Sequence, residues 1–316
     1  MFISFLHSAI RFSTVFLFGS TGETITEKSG HLNLGIPGIM CIGAIGGCIG
    51  ERMYISSLSD ISQINGFLAV FIPIIFSMLF AGFLGLLYSF FTVTLRCNQN
   101  VTGLTITTFG VGLTTFLGNT LDKTGFSAAA IYFRQGFNNS SDWFSQIFLT
   151  HGTLVYLAII IAIFTAIVLK KTRTGLNLRA IGESPATADA AGINVTGYKY
   201  CATILGAAIA GLGGLFYIMD YVGGSWEYNI DALGWLAVAL VIFSVWKPNW
   251  GILGSIIFGA LYIAPYYIPS NNAQKEIIKM LPYVVTIAVL VLTSILNRRE
   301  SQPPAALGVS YFREER

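Results

Sequence analysis

Long uncharged apolar runs, separated by short polar segments, are the main pattern of this chain. Five runs contain no Asp, Glu, Lys or Arg: residues 61–95, 143–169, 200–219, 248–274 and 280–297. About 20 apolar residues cross the hydrocarbon core of a bilayer as a helix, so several runs are long enough. Backbone groups in lipid are paired within helices or closed barrels, and these runs lack strand-like alternation. The pattern therefore predicts an all-α, polytopic membrane protein.

The number of crossings depends on one long run. Residues 66–95 exceed the length of one untilted helix but are short for two, and Pro73, Gly82 and Gly85 could break them. We therefore expect nine or ten transmembrane helices. The candidate spans are residues 2–20, 36–54, 66–95, 101–120, 148–169, 197–219, 232–246, 251–268 and 280–296.

Basic residues in the polar segments predict the orientation. Five lie between residues 170 and 199, and Arg298, Arg299, Arg313 and Arg316 lie in the C-terminal tail. The positive-inside rule places both segments in the cytoplasm, and the even number of spans between them agrees. The domain prediction is one transmembrane domain over residues 1–297, with a cytoplasmic loop at 170–196 and a cytoplasmic tail at 298–316.

Composition supports this class and excludes others. Of the 316 residues, 54% are hydrophobic and only 10% are charged, against roughly a quarter charged in soluble domains. The net charge of +3 does not indicate nucleic-acid binding, because the basic residues cluster in loops. The cysteines lack CxxC spacing and the histidines share no metal-ligand spacing. No phosphate-binding GxxxxGK[ST] motif occurs, so we expect no nucleotide hydrolysis by this chain.

A faint internal repeat is visible. Residues 81–88 align with residues 210–217, and the alignment continues without a gap from 100–104 to 229–233. Chance similarity between small and aliphatic residues is a serious alternative. If the repeat is real, two related halves with a pathway between them match the general plan of transporters, and an odd number of crossings between the copies would make them inverted.

One polar segment contains the signals of a short capped helix. Ser184 can cap the helix by accepting from an unpaired N–H, Pro185 suits its first position, and Gly192 can end it in the left-handed conformation. The segment could be a solvated loop, and this interpretation is sufficient to explain the basic residues at its beginning. A capped, alanine-rich helix instead favours docking of another protein, because a face of small residues permits close approach.

Two other segments are candidates for a transport pathway. Residues 22–38 are rich in glycine and include the carboxylates Glu23 and Glu27. They form either an exposed turn or a polar lining at membrane depth. Near the opposite surface, Trp226, Glu227 and Asp231 lie in one short stretch. Its aromatic residues are either interfacial anchors or part of a site for a ring-bearing polar ligand.

At these segments the chain resembles the permease subunits of bacterial ABC importers, in the branched-chain amino acid/ribose permease superfamily. Within it, the chain is most similar to permeases of nucleoside importers that work with a basic-membrane-protein-type lipoprotein. The match is carried by residues 22–40, with the Asn33-Leu34-Gly35 motif, by residues 98–104, and most specifically by residues 173–194. Residues 237–248 continue it. Pro37 departs from the family, which commonly has glutamate there.

The resemblance implies a multi-pass subunit of the bacterial inner membrane that forms half of a translocation pathway. It implies four partners: membrane lipid, a cytoplasmic ABC ATPase that hydrolyses the ATP, a substrate-binding lipoprotein, and a second permease, with a heterodimer favoured. No cofactor is expected on this chain. The implied coupling residues are Arg179, Glu183, Ser184, Pro185, Asp189, Gly192 and Asn194. The implied pathway residues are Glu23, Glu27 and Asn33. Trp226, Glu227 and Asp231 have no clear counterpart in the family and are candidates from their residue types alone.

The expected cargo is a nucleoside, whose base could stack on aromatic side chains. A sugar or a branched-chain amino acid is the near alternative. The distant alternative is a secondary transporter or channel that needs no ATPase.

Overall fold

The computed structural model describes residues 2–136, 142–268, 271–296 and 302–312, and within these ranges it contains helices and no strand. This confirms the all-α prediction. The basic residues Arg298, Arg299, Arg313 and Arg316 lie outside the described ranges. The helices are α1 Phe2–Lys28, α2 Ile36–Ser56, α3 Gly66–Ser89, α4 Gln99–Thr120, α5 Phe126–Arg134, α6 Trp143–Phe148, α7 Thr153–Lys171, α8 Arg173–Glu183, α9 Pro185–Ala190, α10 Val195–Leu215, α11 Ile230–Phe243, α12 Pro248–Tyr267, α13 Asn272–Lys279 and α14 Leu281–Leu296.

Seven of the described helices are long and apolar enough to cross a membrane: α1, α2, α3, α4, α7, α10 and α12. Helix α11 has 14 residues and α14 has 16, which gives lengths of about 21 and 24 Å against a core of about 30 Å. The structure therefore establishes a multi-pass bundle but does not confirm nine or ten crossings.

Helix α3 is not broken. It continues through a π-helical turn, Phe90–Thr94, so that one helix covers Gly66–Thr94. The expectation that Pro73, Gly82 or Gly85 could interrupt it was wrong. Gly85 instead allows α3 and α10 to pack closely, because a Cβ at this position would meet the side chain of Ala207 in α10. Small residues let membrane helices approach closely, and a bundle can accommodate an internal proline.

Helix α10 lies at the centre of the bundle, against α1, α2 and α3. Its glycines meet glycines of its neighbours: Gly206 faces Gly22 of α1, and Gly211 faces Gly43 of α2. At both contacts a Cβ would overlap backbone atoms of the partner helix. Small residues in membrane interfaces allow such backbone contact, and the stability of the bundle rests on it.

The segments aligned in the faint repeat lie in α3 and α10, which cross each other in opposite directions. Gly85 is beside Ala207, whereas Ala81 is beside Gly211. Both helices end in a π-helical turn, Phe90–Thr94 after α3 and Phe216–Tyr221 after α10. The antiparallel crossing at the aligned positions is the geometry that an inverted pair of repeats would have.

Helices α8 and α9, the beginning of α10 and the last described residues, 302–312, meet at one end of the bundle. The loop after α1 is at this end as well, since the amide N–H of Gly308 donates to the carbonyl oxygen of Gly30 at 3.1 Å. We call this the coupling end. The common position of α8–α9 and the tail agrees with the prediction that both lie on one side of the membrane.

Candidate functional site: the coupling segment and the polar clusters

The predicted capped helix is present as α9. Ser184 ends α8 and caps α9, since its hydroxyl accepts from the amide N–H of Thr187 at 3.4 Å, and Pro185 is the first residue. At the other end the amide N–H of Ile193 donates to the carbonyl oxygen of Ala188 at 3.0 Å. Gly192 has a φ of +82°. These bonds form the Schellman ending that a left-handed residue permits.

One face of the coupling segment, α8 with α9, is buried and the other is exposed. Ile181, Ala188 and Val195 form a small apolar cluster beneath it. Of the predicted coupling residues, Arg179, Glu183, Gly192 and Asn194 are exposed, whereas Ser184, Pro185 and Asp189 are half-buried. The apolar cluster fixes the segment on the bundle, so its outer face is a rigid surface.

Besides Ser184, two more of the predicted coupling residues form side-chain hydrogen bonds within the chain. The side-chain oxygen of Asn194 accepts from the amide N–H of Gly197 at 2.9 Å, so this residue caps α10. Asp189 accepts from the hydroxyl of Tyr311 at 2.7 Å. Asn194 therefore positions the segment through its backbone cap, and Asp189 also connects the segment to the tail.

The described tail, residues 302–312, fastens the coupling segment to the bundle. The amide N–H of Ala306 donates to the carbonyl oxygen of Gly182 at 2.9 Å. The side-chain amide of Gln99, at the beginning of α4, donates to the carbonyl oxygen of Val309 at 3.4 Å. Sequence reasoning treated this tail only as an orientation signal, because its pairing is through backbone groups that carry no motif.

The three predicted pathway residues near the end of α1 are fully buried and form a polar joint. The carboxylate of Glu23 accepts from the amide N–H of Asn33 at 3.0 Å, and the side-chain oxygen of Asn33 accepts from the amide N–H of Gly35 at 2.9 Å. The carboxylate of Glu27 accepts from the indole N–H of Trp246, which follows α11. These bonds hold the α1–α2 loop at the membrane domain, and in this conformation the three side chains have no solvent access.

Two polar atoms of this joint lack a partner among the described residues. They are the second carboxylate oxygen of Glu23, which faces only the carboxyl group of Glu27, and the side-chain nitrogen of Asn33; each is buried without a conventional donor or acceptor. Buried polar groups in proteins are nearly always hydrogen-bonded. This joint is therefore one place in the bundle where a polar ligand or water would gain hydrogen bonds.

The other predicted cluster, with Trp226, Glu227 and Asp231, lies at the opposite end of the bundle. The indole of Trp226 packs against Gly118 of α4, and the hydroxyl of Tyr228 donates to the side-chain oxygen of Asn119 at 2.5 Å. Glu227 and Asp231 are half-buried. Trp226 thus joins the α10–α11 linker to α4, as an anchor within the protein, while its indole nitrogen is buried without a partner among the described residues.

A further polar cluster was missed by sequence reasoning. Asp220, in the π-helical turn after α10, forms an ion pair of 2.9 Å with Arg11 of α1. Arg134 of α5 donates to the carbonyl oxygens of Asp220 at 2.6 Å and of Tyr221 at 2.8 Å. The signal in the sequence was a charge of each sign within long apolar runs, which commonly pair inside membrane bundles.

At the coupling end, the ring of His31 lies in the loop after α1, with its Nδ1 atom 3.3 Å from the hydroxyl of Thr203. Burial lowers the pKa of His31 well below its usual range, and the positive charge of Lys199 adds to this effect to a smaller extent. The imidazole is therefore neutral at physiological pH. Within the described residues no group of three His, Cys, Asp or Glu side chains could hold a metal ion.

The fold and these clusters define a multi-pass helical membrane protein with a capped helical segment packed on one end of its bundle. Residues 5–290 match the family model described as the branched-chain amino acid transport system / permease component. The chain belongs to this family, and it is a transmembrane permease subunit of an ABC transporter, multi-pass in the inner membrane. Subunits of this kind are not enzymes, and a partner ATPase uses the ATP.

Three curated relatives cover nearly the whole chain. A nucleoside ABC transporter permease protein of Lactococcus lactis is 30% identical over 96% of this chain and 95% of its own length. A putative glucose ABC transporter permease protein of Haloferax volcanii is 30% identical over 98% and 97%. A guanosine ABC transporter permease protein of Bacillus subtilis is 26% identical over 93% and 92%.

Proposed function

We propose that this chain is the permease subunit of a nucleoside importer and forms half of its translocation pathway. Two of the three relatives described above are named for nucleoside or guanosine transport. Their matches extend over more than nine-tenths of this chain, so they include the membrane helices as well as the coupling segment. In this proposal residues 1–297 are one permease domain, with the coupling loop at 170–196 and the cytoplasmic tail at 298–316.

The observation that carries the coupling role is the exposed face of α9 above its buried apolar cluster. Ala186, Thr187 and Ala190 are exposed there, between the exposed charges of Arg179 and Glu183 on α8 and the turn at Gly192. Small side chains permit close contact with a partner, while the two charges offer ion pairs at the rim. Ser184, Pro185 and Asn194 act through the caps that keep this surface in shape.

For the pathway, we propose the joint of Glu23, Glu27 and Asn33 at the coupling end, and Trp226, Glu227 and Asp231 at the opposite end. The support for the joint is the close pair of buried carboxyl groups of Glu23 and Glu27 and the buried side-chain nitrogen of Asn33, which has no partner among the described residues. Alternating access requires such polar groups to exchange internal partners for substrate or water. At the opposite end, the indole of Trp226 offers stacking and a free N–H to an incoming base.

The partners of the proposed importer are a cytoplasmic ABC ATPase at the coupling segment and a substrate-binding lipoprotein at the opposite face. A second, different permease would complete the pathway, so we propose a heterodimer. A sugar importer is the second candidate for the cargo, because the glucose permease relative is as similar to this chain as the nucleoside permease relative.

The cargo is tested by uptake of labelled adenosine into cells or proteoliposomes that contain the complete transporter. Unlabelled guanosine and uridine are expected to compete, whereas glucose and leucine are not. Competition by glucose alone would assign the sugar function. Uptake that persists without the ATPase would contradict the coupling role.

The docking surface is tested by Asp189→Arg, which reverses a charge beside the exposed face of α9. We expect the ATPase to co-purify poorly and uptake to fall, while the amount of inserted permease is unchanged. Tyr311→Phe is the matched control, because it removes the hydrogen bond to Asp189 but leaves its charge. Equal loss of co-purification in both variants would show that Asp189 acts through the tail and not through the ATPase.

A further inference from the structure

A cavity of about 520 Å³ lies at the coupling end, between the α1–α2 loop, the end of α3, the α9–α10 linker and the tail. This volume is within the roughly 300–1,000 Å³ typical of small-molecule sites. The transport residues Glu23, Glu27 and Asn33 do not line it. Its described polar lining is His31, Thr92, Arg96, Asp189, Asn194, Thr196, Lys199 and Tyr311.

Lys199 is the first indication of what the cavity binds. It lines the cavity from α10 with only 3% of its surface exposed. Its ammonium group has no hydrogen bond or ion pair with any residue that the structure describes. The side chain is buried in the cavity wall, while the ammonium group itself reaches the solvent of the cavity. A cation at such a position favours an anionic ligand, because a charge partly removed from bulk water is stabilised by an opposite charge.

The surrounding groups also favour an anion. Val195 and Thr196, the first residues of the 21-residue helix α10, line the cavity, and the N-terminus of a helix attracts negative charge. Arg96 lines it from the end of α3, with its guanidinium 4.9 Å from the ring of Phe312. Among the described lining residues Asp189 is the one carboxylate, and the hydroxyl of Tyr311 donates to it.

We propose that this cavity binds the phosphate group of a small soluble molecule about the size of a nucleoside monophosphate. The ammonium group of Lys199 and a helix N-terminus suit the several oxygen atoms and double charge of a phosphate, and Arg96 adds positive charge to the same wall. The volume exceeds the need of inorganic phosphate, so it accommodates an organic body as well. Phosphoryl transfer to an imported nucleoside gives a molecule of this class.

The position of the cavity connects its occupancy to coupling, an effect that rests on the proposed function. Asp189 and Gly192 of the coupling segment form one wall, and Tyr311 of the tail forms another. An occupant that bridges Lys199 to these walls stabilises the segment in its present conformation. The molecule would then act as a feedback ligand that opposes the movement of α9 during transport.

Binding is measured by calorimetry on the purified complete transporter with three probes: adenosine monophosphate, adenosine and inorganic phosphate. We expect adenosine monophosphate to bind more tightly than phosphate. Its affinity should fall at least 10-fold in Lys199→Gln and be retained in Lys199→Arg, because one charge-assisted hydrogen bond is at stake. Adenosine reports on the transport site, and its binding should not depend on Lys199. Lys171→Gln is the matched control, since Lys171 is exposed outside the cavity.

Thr196→Trp is a second variant that keeps every charge and fills the cavity from its exposed rim. Loss of adenosine monophosphate binding in both Lys199→Gln and Thr196→Trp supports the site. Equal affinity in all variants, or no binding up to about 10 mM, overturns it. Binding of short-chain phosphatidylglycerol in place of adenosine monophosphate also overturns it, in favour of a lipid headgroup. These outcomes are independent of uptake, so the site and the proposed transport function fail separately.

Discussion

The ion pair between Arg11 and Asp220 connects α1 to the turn after α10, and its removal should destabilise the bundle. In Asp220→Asn the side-chain oxygen can still accept at 2.9 Å, but the negative charge is lost and Arg11 becomes an unpaired cation in a membrane helix. Breaking a buried pair from one side costs about 3–5 kcal/mol. Arg11 is 24% exposed whereas Asp220 is fully buried, so we expect a cost of about 2–3 kcal/mol, below that range.

The assay is a double-mutant cycle with Asp220→Asn, Arg11→Met and both changes together, followed by tryptophan fluorescence during heating in detergent. At roughly 2–4 °C per kcal/mol, each single variant should lower the midpoint by about 5 °C or more. The double variant should be more stable than the sum of the single effects predicts, because neither charge is left alone. Strictly additive effects of the two substitutions would refute an energetic coupling between these side chains.

Three further predictions concern packing and caps. Gly211→Leu should prevent stable folding, because a Cβ there overlaps the Cβ of Ala81 and crowds the Cα of Gly43. Gly112→Leu, where a Cβ has no neighbour within 4 Å, should be tolerated, and expression and gel-filtration profiles compare the two variants. Ser184→Ala should cost about 1 kcal/mol of helix stability and weaken ATPase co-purification, with Ser184→Asp restoring it. Trp246→Phe should lower the thermal midpoint by leaving a buried carboxylate oxygen of Glu27 without its indole donor, whereas Trp250→Phe, at an exposed indole, should leave it unchanged.

The helices and the caps of α9 were predictable because they depend on local signals. Uncharged length predicts a membrane helix, and Ser184, Pro185 and Gly192 predict the ends of a short one. The effect of Gly82 and Gly85 was not predictable, because a glycine that breaks a helix and a glycine that admits a neighbour look alike in one sequence. Their role follows from the position of α10, which is fixed only by tertiary packing.

The site was predictable in its location and less so in its contacts. The family-like segments indicated the coupling segment, yet the bond from Tyr311 to Asp189 joins residues 122 positions apart and has no motif. The same holds for Glu23 and Asn33, whose polarity was noted but whose mutual pairing depends on the fold of the α1–α2 loop. The cavity around Lys199 is formed by four separate segments, so nothing local in the sequence marks it.

The bond between Tyr311 and Asp189 has a consequence for biogenesis. Helix α9 emerges from the ribosome long before the tail, so the surface proposed for the ATPase stays incomplete until residues 302–312 have folded back onto it. A chain that is truncated or still being inserted would lack this fastening. The ATPase would then assemble with permeases whose synthesis and insertion are finished, and unfinished subunits would not bind it.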